Sequence, residues 1–143
     1  MRRVVSLWLP RFATDRLRKQ GVSSPEGDGP LVTSTQDGNR LVLAAADAVA
    51  AESGLSPGMT LAQARAMVPG LIVCPADPEG DAAALRRLAG WCLRYAPLTS
   101  ADSLDGVWID VTGSAHLFGG EGRLLRDLLG RLAGQGLTAR AAI

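Results

Sequence analysis

Apolar residues along this chain fall in short runs separated by glycine, proline and polar breakers, and the spacing within each run predicts its backbone. Residues 4–9 are apolar and partly β-branched and stop at Pro10, which fits a buried strand rather than a helix. Residues 12–19 carry Phe12, Ala13 and Leu17 among charged positions, a short helix. GVSSPEGDGP, residues 21–30, is a polar breaker cluster and predicts a loop. Residues 31–34 and 40–44 flank TQDGN, whose Asp37-Gly38 pair signals a hairpin. The alanine-rich stretch 45–52 predicts a helix that ends at Ser53-Gly54, and Thr60 is a suitable N-cap for a second helix over 61–68. A short strand over 71–74 and a turn over 75–78 follow.

The longest amphipathic stripe is Leu85, Leu88, Ala89, Cys92 and Leu93, with Arg86, Arg87 and Arg94 off it, which predicts a helix over 81–95. Residues 98–104 and 107–111 read as strands joined by a tight turn at Asp105-Gly106. Leu124, Leu125, Leu128, Leu129 and Leu132 define a last helix ended by Gly134, and residues 137–143 read as a final strand. With 31–74 set aside, the order is strand, helix, hairpin, helix, strand. That order is an α+β, ferredoxin-like split βαβ arrangement: an antiparallel sheet with helices on one face. The expected organisation is therefore one domain from 1–30 and 75–143 and a small inserted subdomain from 31–74. No internal repeat or low-complexity tract interrupts it.

Composition narrows the function classes. The chain has 143 residues, 47% of them hydrophobic, and a mean hydropathy of +0.13, enough to build a core. Lys plus Arg is 15 against 14 for Asp plus Glu, so no global field draws it to nucleic acid or an anionic membrane. No window approaches the ~18 apolar residues of a membrane span, and the run after Arg2 and Arg3 is too short for a signal sequence, so a cytoplasmic protein is expected. Cys74 and Cys92 have no companion Cys or His at ligand spacing and read as free thiols. The chain stops inside the apolar run Ala141-Ala142-Ile143, which reads as a cut through a longer protein.

Candidate chemistry is sparse. Asp102, Asp105 and Asp110 crowd around the predicted hairpin, as a divalent-metal site needs. Strand alternation nevertheless puts Asp105 at the turn and Asp110 at the far end of the next strand, so the three do not share one ion. His116, the single histidine, lacks a Ser or Cys nucleophile in a recognisable setting. Thr112-Gly113-Ser114 and Phe118-Gly119-Gly120 precede a helix but match neither nucleotide-binding glycine spacing, and read as loop and helix start. Trp8, Trp91 and Trp108 do not interleave with basic residues as a base-stacking platform does, and are assigned to core and rim packing.

Several segments carry a resemblance. ADSLDGVWIDVTGSAHLFGG, residues 101–120, resembles the second catalytic motif of Y-family (UmuC/DinB-type) translesion DNA polymerases, SIDEAYLDVTGS in typical form. GLSPGMTLAQARAMVPGLIVCP, residues 54–75, resembles their fingers motif. LWLPRFATDRL at 7–17, PADPEGDAAALRRLAGWCLRYAP at 75–97 and DVTGSAHLFGGE at 110–121 resemble the ImuB-type branch more closely still. The resemblance covers essentially the whole chain, with 1–30 and 75–143 as palm and 31–74 as fingers.

In active relatives, one first-strand Asp and an Asp-Glu pair at the hairpin hold two Mg²⁺ ions. Alignment places Trp8 at the first-strand Asp, Pro10 at the second acidic position of that motif, and Asp105-Gly106 at the hairpin pair. Ala13 stands at the steric gate, and Ala48 and Ala51 at the Tyr and Arg of the triphosphate clamp. The resemblance therefore implies a non-catalytic relative with no cofactor, Asp105 being the one surviving carboxylate, and a Trp8 ring that fills the old metal site and makes it apolar. It further implies an adaptor in damage-induced mutagenesis, joining an error-prone DnaE-type polymerase, the sliding clamp and an ImuA-like, RecA-like partner through a longer chain that continues past Ile143, with weak DNA contact through this part. Two rivals stay open: an active polymerase using Asp102 or Asp110 as substitute Mg²⁺ ligands, and a module that grips primer-template DNA through arginines.

Overall fold

The structure is a computed structural model, described over residues 1–24 and 27–143. The chain divides into two compact units: Met1–Phe12 with Pro78–Ile143, and Ala13–Asp77.

The first unit contains β1 (Val4–Trp8), α4 (Pro78–Trp91), β5 (Leu98–Asp102), β6 (Gly106–Asp110), α5 (Glu121–Gly134) and β7 (Arg140–Ala142). Its sheet runs β5-β6-β1-β7 with antiparallel pairing throughout, the expected ferredoxin-like order. Alternation along the strands sends Val5, Leu7, Val107 and Ile109 to one face, where they are buried with Leu85, Leu88 and Ala89 of α4 and Leu124, Leu128 and Leu132 of α5. Those helical residues repeat every three or four positions, so each helix turns a single apolar stripe to the sheet. The opposite face of the sheet carries Ser6, Trp8, Ser100, Asp102 and Trp108, all partly or largely exposed.

The second unit holds most of α1 (Phe12–Lys19), then β2 (Leu31–Asp37), β3 (Arg40–Ala46), α2 (Ala48–Glu52), α3 (Leu61–Met67) and β4 (Ile72–Pro75). Its sheet is ordered β3-β2-β4, and β4 runs parallel to β2, so this small sheet is mixed. Val32, Leu43, Ala46, Ala50, Leu55, Leu61 and Ala64 form a separate core.

Several expectations shift for local reasons. Residues 13–30 group with the second unit rather than with 75–143, because Arg18 donates to the carbonyl of Gly29 and to Asp47 Oδ2 at 3.0 Å. Within the expected loop at 21–30, residues 25 and 26 lie outside the described residues. The helix expected over 45–52 starts only at Ala48. Ala45 and Ala46 instead pair with Thr33 and Val32, and Asp47 caps α2 by accepting from the Ala50 amide at 2.9 Å. Here strand pairing overrides alanine's helix preference, and the cap sets the boundary. Thr60 caps α3 as expected, accepting from the Gln63 amide. The helix expected from residue 81 begins at Pro78, whose fixed φ suits a first helical position.

The β5–β6 connection is not a turn at Asp105-Gly106. Asp102 pairs with Gly106, leaving Ser103, Leu104 and Asp105 as the loop, with Ser103 in the left-handed region at φ 54°. The last strand spans Arg140–Ala142 rather than all of 137–143, because Leu137 closes the end of α5: its amide bonds to the Leu132 carbonyl and its side chain is buried.

Candidate functional site

Trp8 ends β1 and stands directly opposite Gly106 of β6. The indole Nε1 of Trp8 donates to Asp105 Oδ2 at 3.1 Å, and the amide of Leu9 donates to the Asp105 carbonyl at 2.8 Å. The loop that carries Asp105 is thus tied to the end of β1 through both side chain and backbone. The guanidinium of Arg140, on β7, lies over the Trp8 ring 5.9 Å from its centroid, within cation–π range. Trp8 and the adjacent pair Asp105-Gly106, far apart in the sequence, are therefore brought together, but the ring does not make the position apolar. The indole is 46% exposed and lies between a carboxylate and a guanidinium. Its position on the outward phase of β1, two residues from Ser6, keeps it out of the core that Val5 and Leu7 enter.

Of the other acidic candidates, Asp102 borders this loop and Asp110 lies away from it. Asp102 faces Gly106 across the hairpin, while Asp110 sits at the far end of β6 opposite Val4 and Leu98. Asp110 accepts from the Thr112 amide at 3.1 Å and lies 3.5 Å from Arg2. Its carboxyl is held below the usual range mainly by its hydrogen bonds to Thr112. Among the described residues no group of three His, Cys, Asp or Glu side chains could hold a metal ion.

In the second unit, Ala13 lies half-buried on α1. Ala48 opens α2, exposed, and Ala51 is half-buried one turn later. None of the three supplies a polar side-chain atom, so none of these positions has a group able to grip phosphate. What this region does hold rigidly is Asp47, which caps α2, accepts from the Leu31 amide at 3.2 Å and pairs with Arg18.

The amides of Gly119 and Gly120 bond to the carbonyls of His116 and Ala115, so they are spent within the loop rather than offered to a phosphate. His116 is exposed on a single 3-10 turn, Ala115–Phe118. Cys74 and Cys92 are both free thiols, and burial pushes the Cys92 thiol up to about 11.

One grouping escaped the sequence reading. Trp108, assigned to packing, is 43% exposed on the outward face of the sheet, as is Trp8. Strand alternation signals this, since Gly106, Trp108 and Asp110 are out of phase with Val107 and Ile109. The signal cannot identify the open face without knowing where the helices lie.

Metal chemistry of the two-ion type needs several carboxylates converging within a few ångströms. Here Trp8 and Gly106 flank Asp105, and the nearest described partner of its Oδ2 is an indole N–H, so this constellation does not fit a pair of Mg²⁺ ions.

Comparisons with known proteins agree with this architecture. Protein ImuB of Caulobacter vibrioides is 49% identical over 90 residues, covering 63% of this chain and 20% of that protein. DNA polymerase IV of Ralstonia nicotianae is 29% identical over 115 residues, covering 80% of this chain and 32% of that protein. The chain thus spans between a fifth and a third of the length of these curated relatives. Among solved structures, an insertion ternary complex of Dbh DNA polymerase superposes with a TM-score of 0.80 at 21% identity, covering 97% of this chain and 41% of that one. DinB from Sulfolobus solfataricus superposes with a TM-score of 0.70 at 19% identity, covering 98% and 41%. The impB/mucB/samB family matches residues 26–143, and with β5, β6 and the Asp105 loop inside that match the chain belongs to this UmuC-type, Y-family group.

Proposed function

We propose that this chain is a non-catalytic Y-family domain that serves as an adaptor in translesion synthesis and damage-induced mutagenesis. The observation that carries the reading is the Trp8–Asp105 hydrogen bond opposite Gly106. Phosphoryl transfer needs several converging carboxylates; of the three aligned ligand positions this chain keeps one, Asp105, which accepts from an indole, and Asp102 across Gly106 is joined by no third ligand among the described residues. Mg²⁺ sheds water reluctantly, and a single carboxylate is a poor competitor for it. The alanines at 13, 48 and 51 support the same conclusion from the nucleotide side. No Mg²⁺ cofactor is assigned to this domain.

In this reading the longer protein joins an error-prone DnaE-type polymerase, the sliding clamp and an ImuA-like, RecA-like partner in the cytoplasm, and DNA binds only weakly through this domain. The similarity to ImuB supports these partners by kinship. Among the described residues no helix is long and apolar enough to cross a membrane.

Primer extension tests the reading. The longest protein that contains this chain, given primer-template, four dNTPs and Mg²⁺ or Mn²⁺, is expected to add no nucleotide above a protein-free control. Extension that disappears in Asp105→Ala overturns the proposal and establishes an active polymerase. Steep salt-dependent, sub-micromolar binding of primer-template by this chain would instead favour a DNA-gripping module.

A further inference from the structure

The pairing register lays out the open face of the first sheet as a grid. Asp102, Gly106, Trp8 and Arg140 form one row across the four strands, and Ser100, Trp108, Ser6 and Ala142 form the next. A third row holds Leu98, Asp110 and Val4. Trp8 and Trp108 are diagonal neighbours, and every other residue beside Trp108 in its row is Ser or Ala. The two indoles, 46% and 43% exposed, stand above a floor of Ser6, Ser100 and Gly106, with Leu98 59% exposed at the margin. Gly106 adds no side chain between the two indoles, and a Cβ there would lie a tight 3.2 Å from the Asp102 carbonyl oxygen and 3.5 Å from that of Leu7.

The charges bordering this face select against polyanions. Asp102, Asp105 and Asp110 supply three carboxylates against the guanidiniums of Arg2 and Arg140. Arg2 is paired with Asp110 and Arg140 lies over the Trp8 ring. A phosphate chain would meet the exposed Asp102 and Asp105 at the Trp8 end of the face. Exposed tryptophans over small residues are what a polypeptide partner uses as anchors, because they offer large apolar area at little conformational cost.

We infer that the open sheet face built on Trp8 and Trp108 docks a segment of a partner protein whose apolar side chains pack against the two indoles over the small residues Ser6, Ser100 and Gly106 and whose Lys or Arg residues meet Asp102 and Asp105. This rests on the adaptor reading and names the surface and the chemistry of what it binds. Trp8, in the position of a metal-binding carboxylate, becomes a docking anchor.

The indole N–H resonances of Trp8, Trp91 and Trp108 report the test directly in ¹H–¹⁵N spectra of the chain. Three probes are titrated: the peptide Ac-LKLKLKL-NH₂, its acidic counterpart Ac-LELELEL-NH₂, and the oligonucleotide dT12. The expected result is saturable shifts of Trp8 and Trp108, but not Trp91, by the Leu/Lys peptide, with the other two probes at least tenfold weaker. Trp8→Ser combined with Trp108→Ser is expected to weaken the peptide at least tenfold. Ser100→Lys, an exposed change that leaves both indoles in place, is expected to weaken it several-fold if the double variant does not fold. Three results overturn the inference: dT12 shifting the two indoles at lower concentration than the peptide, no probe shifting them up to millimolar concentration, or peptide affinity unchanged in Ser100→Lys. Nucleotide addition in the extension assay would end the adaptor reading without altering these titrations, so the two failures are distinguishable.

Discussion

The Trp8 indole and the Asp105 carboxylate, 97 residues apart in sequence, meet in a hydrogen bond of 3.1 Å at the exposed end of β1. A neutral N–H facing a carboxylate at a solvent-exposed position contributes on the order of 1 kcal/mol. In the proposed non-catalytic reading its importance lies in occupancy, because the indole takes the place beside Asp105 that a second carboxylate sharing a cation would need. Restoring side-chain oxygens should therefore restore cation affinity. Trp8→Asp combined with Gly106→Glu is expected to bind Mn²⁺ at least tenfold more tightly than the natural chain, measured by the loss of the free-Mn²⁺ EPR signal. The Cβ that Gly106→Glu introduces must be accommodated 3.2 Å from the Asp102 carbonyl oxygen, so some loss of stability is expected alongside. Unchanged Mn²⁺ affinity in a folded double variant would show that the position is no longer able to form such a site.

Asp47 combines three duties: it caps α2, accepts from the Leu31 amide and pairs with Arg18. Asp47→Ala leaves two amides and a half-buried guanidinium without that acceptor, and the expected loss is about 1–3 kcal/mol in urea denaturation. Asp47→Asn keeps the cap but not the charge and should fall between the two. Equal stability of Asp47→Ala and the natural chain would remove Asp47 as the organiser of this unit.

The two cores predict separable effects. Ile109→Ala in the first unit and Leu43→Ala in the second each empty a fully buried position, at about 2–5 kcal/mol. Hydrogen exchange should then quicken mainly in β1 and β6 for Ile109→Ala and mainly in β2 and β3 for Leu43→Ala. Uniform quickening in both variants would mean that the units unfold as one.

Acid sensitivity follows from Asp127. The Tyr95 hydroxyl donates to Asp127 Oδ2 at 2.7 Å, and Arg131 Nε donates to the same oxygen at 3.0 Å. The Tyr95 bond, and secondarily Arg131, hold the Asp127 carboxyl below its ordinary value. A carboxyl depressed in the folded state adds stability that is fully present above its unfolded pKa of about 4 and is lost as pH falls through the folded value. The Tyr95 hydroxyl is pushed the other way, first by burial and then by Asp127, so its contribution is present below about pH 10 and is lost above it. Tyr95→Phe is expected to flatten both limbs of a plot of Tm against pH. Limbs identical to those of the natural chain would contradict the assignment.

Element types were largely legible from period and punctuation. The stripe at Leu124, Leu128 and Leu132 is buried as the 3.6-residue period requires, and the alternation of Val5 and Leu7 against Ser6 and Trp8 is the alternation of the sheet faces. Boundaries were less legible where two local preferences compete. The alanines at 45 and 46 favour a helix on their own, yet pairing with β2 draws them into β3, a long-range effect that no window of neighbours contains.

Residue types alone determined that positions 8 and 106 supply no carboxylate, because a tryptophan and a glycine carry none wherever they are placed. Only the tertiary structure decided what surrounds those two residues. Pairing of β1 with β6 and β7 joins Trp8 to Asp105, Gly106 and Arg140, and the helices cover just one side of the sheet, which leaves Trp8 and Trp108 exposed together on the other. Chemistry is local to a residue, whereas proximity and exposure depend on strands distant in sequence, and so the shared exposed face of Trp8 and Trp108 emerged only once the register was known.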